Sequence, residues 1–128
     1  MRTAVLDASA LLALLNSEPG SEQIAQALIN GATISTINFS EVVAKLSEIG
    51  MPEAEIHETL DFLGLEISAF DSSCAYQAGL LRPITKHLGL SFGDRSCLAL
   101  AHDLKLPAFT TDKAWKNLSL DITIQVIH

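Results

Sequence analysis

Strand-length apolar runs alternate with helix-length amphipathic segments along almost the whole chain, and this alternation most tightly limits the fold. Thr3–Leu6 is a short apolar run. Ala8, Leu11, Leu12 and Leu15 follow at i, i+3, i+4 and i+7, the spacing of a helix with one buried face. Pro19-Gly20 marks a turn, and Ile24, Ala27 and Leu28 predict a second helix that stops near Gly31. Residues 33–37, TISTI, are rich in β-branched side chains and read as a strand. Ser40 is the expected N-cap of a helix that turns Val42, Val43, Leu46 and Ile49 inward and ends at Gly50. Pro52 opens the next helix, with Glu53, Glu55 and Glu58 outside and Ile56, Leu60 and Leu63 inside. Leu65–Phe70 predicts a third strand, and Asp71 or Ser72 caps a helix carrying Cys74, Ala75, Ala78 and Leu81. Residues 82–90 read as a further helical turn, Gly93–Leu104 as a helix, and Pro107–Thr110 and Ile122–Ile127 as strands four and five.

Strands separated by helices pair in parallel, with the helices covering both faces of the sheet. Five short strands of this kind predict an α/β, doubly wound α/β/α sandwich. No repeat, linker or low-complexity tract divides the 128 residues, so the expectation is a single domain over 1–128. A hydrophobic fraction of 48% supplies a core and excludes a disordered chain. Asp7 interrupts the apolar N-terminal run, no A-x-A pattern follows it, and no segment approaches membrane-spanning length. The expectation is a soluble, cytoplasmic protein with no membrane partner. Cys74 and Cys97 sit far apart inside helical apolar patterns, as reduced core thiols do. His57, His87, His102 and His128 show no pairing at metal-ligand spacing, which argues against a zinc site.

In such a sheet, ligands bind beyond the carboxyl ends of the strands. Asp7 follows strand one directly, Glu41 stands at the start of the helix after strand two, and Asp112 follows strand four. Asp94 comes from a helix, where it shares a face with Cys97, Leu98 and Ala101 and so points inward; Gly93 beside it permits close backbone approach. Two carboxylates about 5 Å apart repel by roughly 3 kcal/mol at an effective dielectric near 20. Four gathered together therefore require protons or a cation. Oxygen-only donors select Mg²⁺ or Mn²⁺, and a carboxylate-held Mg²⁺ suits phosphate chemistry.

Each acid alone also suits an ordinary role. Asp7 could end a strand, Glu41 could favour the helix dipole and pair with Lys45, Asp94 could be an N-cap, and Asp112 an Asx turn. The conjunction at four separate element boundaries is what calls for one explanation. By contrast, Asp71 reads as a cap, Asp61 and Asp103 as outward helix positions, and Asp121 as part of a polar turn.

The blocks around these acids, LDASALLALLN, NFSEVVAKL, LSFGDRSCLALA and FTTDKAW, resemble the four acidic blocks of PIN-domain nucleases. The last two are most similar to those of VapC-type toxins of bacterial toxin–antitoxin pairs. The resemblance spans essentially the whole chain in order and spacing. It implies a PIN-like three-layer α/β/α sandwich and a Mg²⁺-dependent endoribonuclease, usually a homodimer, held inactive by an antitoxin. It also implies that Asp7, Asp94 and Asp112 ligate metal, and that Glu41 completes the pocket and orients the attacking water. Ser9 and Thr111 match hydroxyl positions near the metal, beside their plain readings as a helix cap and a strand hydroxyl. The expected reaction is an in-line displacement leaving a 5′-phosphate and a 3′-hydroxyl.

Net charge is −7, which argues against a nucleic-acid partner until its distribution is considered. Residues 1–81 hold two basic and eleven acidic side chains, whereas residues 82–116 hold six basic and three acidic ones. Arg95, Lys113 and Lys116 neighbour the acidic blocks and could hold RNA phosphates, or could simply be solvated surface charge. Phe92 and Trp115 could stack on bases, although core packing is the plainer reading for each. Two other classes compete. A phospho-acceptor receiver domain needs an acidic pair after strand one and an acceptor after strand three, where this chain has a lone Asp7 and a capping Asp71. A catalytically silent PIN-like interaction module would be expected to lack some of the acids, and all four are present.

Overall fold

Four of the five strands run on to a polar residue that caps the next helix, and this repeated junction sets the architecture. In the computed structural model, which describes residues 1–127, β1 (Ala4–Leu6) runs into Asp7, whose side chain caps α1 (Ala8–Leu15). After α2 (Ser21–Asn30), β2 (Ala32–Ser35) runs straight into α3 (Thr36–Glu48), then α4 (Glu53–Phe62). β3 (Glu66–Ser68) leads through a cap at Asp71 into α5 (Ser72–Leu80), α6 (Arg82–Thr85) and a 3-10 helix at Lys86–Leu88. α7 (Phe92–Leu104), β4 (Ala108–Thr110), a second 3-10 helix at Lys113–Asn117 and β5 (Ile124–Val126) complete the chain. His128, one of the four histidines considered above, lies outside the described residues.

All pairings are parallel, in the order β3-β2-β1-β4-β5. The flavodoxin-like doubly wound order is 2-1-3-4-5. The observed order puts β2 and β4, not β3, beside β1, and removes the receiver alternative on topology. The central strand alternates its side chains between layers, as a pleated strand must. Val5 packs with Cys97, Leu98, Ala101 and Trp115 under α5 and α7, while Ala4 and Leu6 pack with Ala10, Ile24 and Ala27 under α1 and α2. A third cluster joins Leu11, Ile34, Val42, Leu46 and Leu60 among α1, α3 and α4. The three-layer sandwich expected from the alternation is therefore present.

Several boundaries differ from the sequence reading, each for a local reason. The second strand ends at Ser35 rather than Ile37, because the Ser35 hydroxyl accepts a hydrogen bond from Ile37 N at 3.2 Å and starts the helix there. Ser35, not Ser40, is the cap, and Glu41 falls in the second helical turn. Ser91 caps α7, which starts at Phe92, one residue before Gly93. Residues 82–90 divide into α6 and a 3-10 helix that Gly89 stops at φ 69°. β3 is shorter than Leu65–Phe70 and lies at the sheet edge, where Ile67 remains 45% exposed. The Lys113–Asn117 helix carried no apolar periodicity to announce it.

Gly31 closes α2 at φ 104°, and a Cβ there would collide with the carbonyl oxygen of Met1. Gly79 sits inside α5 with nothing within 4 Å of its absent Cβ. Gly31→Ala should therefore destabilise by about 1–3 kcal/mol, and Gly79→Ala should stabilise by about 0.5–1 kcal/mol. Urea midpoints of the two variants moving in the same direction would contradict this account.

Candidate active site

Asp7 is the floor of the site. Its carboxylate is only 4% exposed, at the carboxyl end of the central strand, and every local donor is turned onto it. Oδ1 accepts from Ala10 N at 2.8 Å and from the Ser9 hydroxyl at 2.7 Å, and Oδ2 accepts from the Thr110 hydroxyl. Burial nevertheless dominates, and pushes the Asp7 carboxyl up from 3.8 to about 6, against the lowering effect of these bonds. The negative charge of Asp94 adds to the rise.

Asp94 projects from the first turn of α7 as half of a capping box. Its Oδ2 accepts from Ser91 N at 2.9 Å while its own N–H donates to the Ser91 hydroxyl at 3.1 Å. The capping role and the inward direction thus coexist in one side chain. Glu41 reaches across from α3. Its carboxylate occupies the space where a side chain on Gly93 would begin, because a Cβ there would lie 2.7 Å from Glu41 Cδ and closer to both oxygens. Cys97, fully buried beneath, registers the convergence. Desolvation first, then the negative fields of Asp7, Asp94 and Glu41, hold its thiol well above the ordinary value. The reduced core thiol expected at this position is therefore also protonated.

Asp112 stands at the margin. It is exposed and caps the 3-10 helix that follows β4, its Oδ1 accepting from Ala114 N at 2.9 Å. Its N–H donates to the Thr110 hydroxyl at 3.1 Å, which ties it to Asp7 through one bridging side chain. Asp94 Oδ1, Glu41 Oε2 and Asp112 Oδ2 accept no hydrogen bond from the described residues. Asp94, Glu41 and Asp112 thus each spend one oxygen on local structure and leave the other uncommitted, whereas both oxygens of Asp7 are bonded. These donors suit a hard divalent cation. No three of the four acids bring ligand atoms within 4.8 Å of one another; among the described residues that spacing occurs at Asp71, Cys74 and Asp103.

That second group is a by-product of helix packing. Asp71 caps α5 by accepting from Cys74 N at 2.9 Å, as expected of it, and that bond lowers its pKa. Asp103 is exposed, as expected of it, and accepts from the Ser73 hydroxyl at 2.9 Å and from the Cys74 thiol at 3.5 Å. Burial, then the Asp103 bond, raises that thiol to about 12.

Two site residues escaped the sequence reading. Asn38, 1% exposed, donates through Nδ2 to Glu41 Oε1 and to the Gly93 carbonyl, both at 2.9 Å, and so joins α3 to the start of α7. It replaces Lys45 as the partner of Glu41, and its only signal in NFSEV was the helical spacing of three. Thr110, fully buried, supplies the hydroxyl assigned above to Thr111, whose contribution is a backbone N–H to the Ser9 hydroxyl at 3.0 Å. Period-two alternation from buried Ala108 would have selected Thr110. Arg95 donates through Nη1 to the Ala78 carbonyl at 2.8 Å. Trp115 is fully buried, as its core reading required, whereas Phe92 is 48% exposed. Lys113 and Lys116 are exposed.

The family model for the PIN domain matches residues 4–120. No curated protein sequence matches. Among solved structures, the chain is similar to VapBC2 from Rickettsia felis bound to a promoter DNA fragment, at 21% identity and TM-score 0.78, covering 98% of this chain and 99% of that one. It is similar to DNA-bound VapBC from Salmonella typhimurium at 18% identity and TM-score 0.78, covering 98% of each. It is also similar to the sarcin-ricin-loop-cleaving toxin VapC20 from Mycobacterium tuberculosis at 16% identity and TM-score 0.70, covering 89% and 93%. At these identities the likeness establishes the fold.

The raised Asp7 carboxyl has a stability consequence. A group whose pKa is higher folded than unfolded favours the fold fully below its unfolded value, and that contribution is lost as pH rises through the folded value, here about 6. By neutral pH the ionised Asp7 costs about 3 kcal/mol. Asp7→Asn keeps the Ala10 cap and removes the charge. Chemical denaturation should find this variant more stable than wild type at pH 8, with the difference shrinking towards pH 4. A pH-independent difference would show that the buried charge is not the source.

Proposed function

This chain belongs to the PIN domain family, and we propose that it is a metal-dependent endoribonuclease, the toxin of a toxin–antitoxin pair. The observation that carries this reading is the convergence of Asp7, Glu41 and Asp94 around Cys97 at the carboxyl rim, with Glu41 Oε2 and Asp94 Oδ1 left uncommitted. Asp7, Asp94 and Asp112 would hold Mg²⁺, with Mn²⁺ as the alternative. The ion supplies Lewis acidity, lowering the pKa of an attacking water and neutralising phosphate charge.

The side chains divide the remaining work. Asp7, locked by Ser9, Ala10 and Thr110, fixes the position of the centre within the protein. Glu41 Oε2 is free to accept a hydrogen bond from the attacking water, while Asn38 holds Oε1 and so sets the direction of Oε2. Asp94 and Asp112, more open than Asp7, would hold the ion on the solvent side, where it can meet the scissile phosphate. In-line attack then leaves a 5′-phosphate and a 3′-hydroxyl. The VapBC complexes among the structural relatives support an antitoxin as the protein partner. The reading includes a homodimer acting in the cytoplasm on RNA.

Cleavage of total or transfer RNA, with Mg²⁺ and with chelator, tests the reading for wild type and Asp94→Asn. Only wild type with Mg²⁺ should cut; equal cleavage in all four combinations sinks the mechanism. Gly93→Ala offers a finer check. Its Cβ displaces the Glu41 carboxylate by about 1 Å, for which a slowing on the order of 100-fold is expected, with the melting temperature little changed. Wild-type rates in that variant would remove Glu41 from the chemistry.

A further inference from the structure

Two features flank the acidic centre along the same rim, and carboxylate chemistry uses neither. On the β3 side stands Phe92, an exposed ring one residue after the α7 cap. It is held from two directions. Phe70 meets it edge-on, with centroids 5.5 Å apart and planes at 81°, and the Arg95 guanidinium lies 5.8 Å from its centroid. Both supports are themselves anchored, Phe70 N by the Thr36 hydroxyl at 3.1 Å and Arg95 Nη1 by the Ala78 carbonyl. The arrangement is a rigid aromatic surface beside the centre, with half of it open to solvent.

On the β4 side the Lys86–Leu88 helix packs against the Lys113–Asn117 helix, directly after Asp112. Lys86, Lys113 and Lys116 are exposed, and none has a carboxylate within 4.0 Å among the described residues. The rest of the surface repels polyanions, since the first 81 residues carry eleven acids against two basic groups. A phosphate chain meets favourable potential here and unfavourable potential across α4, whose exposed acids include Glu53, Glu55 and Glu58.

We propose that a single strand of RNA lies across this rim, one unpaired base stacked on Phe92, the backbone passing over the acidic centre, and its phosphates on Lys86, Lys113 and Lys116. The inference rests on the ribonuclease reading and adds the path and the residues. Strandedness follows from the ring, because a base already stacked and paired in a duplex has no free face to offer. Arg95 acts on RNA only through Phe92, as a positioning residue.

The test measures binding of a labelled single-stranded oligoribonucleotide by fluorescence anisotropy over a salt series, in the Asp94→Asn background so that nothing is cut. Phe92→Leu should weaken binding about 5- to 150-fold with an unchanged salt slope, and Phe92→Trp should restore it. Replacing Lys86, Lys113 and Lys116 together by Ala should lower the slope by about 2. A duplex of the same sequence should ignore Phe92→Leu. Unchanged affinity in Phe92→Leu, or an unchanged slope in the lysine variant, overturns the path, while cleavage by wild type leaves the nuclease reading standing. Conversely, the predicted binding without any cleavage by wild type overturns the nuclease reading and keeps the path. A change in sedimentation mass on Phe92→Leu with RNA affinity intact assigns the ring to a protein contact and also overturns it.

Discussion

A carboxylate buried at the end of the central strand is the interaction on which the rest of this molecule depends. Asp7 does two jobs that oppose each other energetically. As the cap of α1 it supplies the acceptor that the first turn of that helix lacks. As a charge almost sealed from water it is unfavourable, and three donors soften the cost without removing it. The geometry around it follows from that tension. Ser9 and Thr110 come from different elements because no single turn could present so many donors, and Thr110 in turn fixes the backbone of Asp112.

The other acids show the same economy. Asp94 closes a capping box, Glu41 is held by Asn38, and Asp112 caps a 3-10 helix. Local structure and site chemistry are thus not separate assignments, because one oxygen of each of these three carboxylates serves the fold and the other is left uncommitted. Gly93 completes the arrangement from the backbone side. Its missing side chain is the volume that Glu41 fills, so the approach of α3 to α7 and the placement of one acid are a single packing event.

How far this could be read from the chain depends on the range of the interaction concerned. Periodicity placed all five strands and, apart from the early start of α3 and the Lys113–Asn117 helix, placed the helices to within a turn, because burial of one face is a local pattern. It failed where one hydrogen bond decides a boundary, as at Ser35, where a hydroxyl ends a strand that the β-branched Ile37 would have continued. Capping Asp71 and buried Trp115 were legible from short-range context. Phe92 and Arg95 were not. Their fates are set by Phe70 and Ala78, which lie 22 and 17 residues upstream, and no spacing rule connects them.

The sequence by itself determined the layered α/β plan and placed Asp7, Asp94 and Asp112 at element boundaries, because hydrophobic period and boundary chemistry are written residue by residue. Tertiary structure alone decided which acids meet. The strand order β3-β2-β1-β4-β5 sets β1 between β2 and β4, so that Glu41 of α3 lies against Gly93 in the first turn of α7 and Thr110 of β4 bonds Asp7. It also decided that the hydroxyl beside Asp7 is Thr110's and that Asn38 holds Glu41. Those choices depend on distances between residues far apart in the chain, which only packing of the layers can fix.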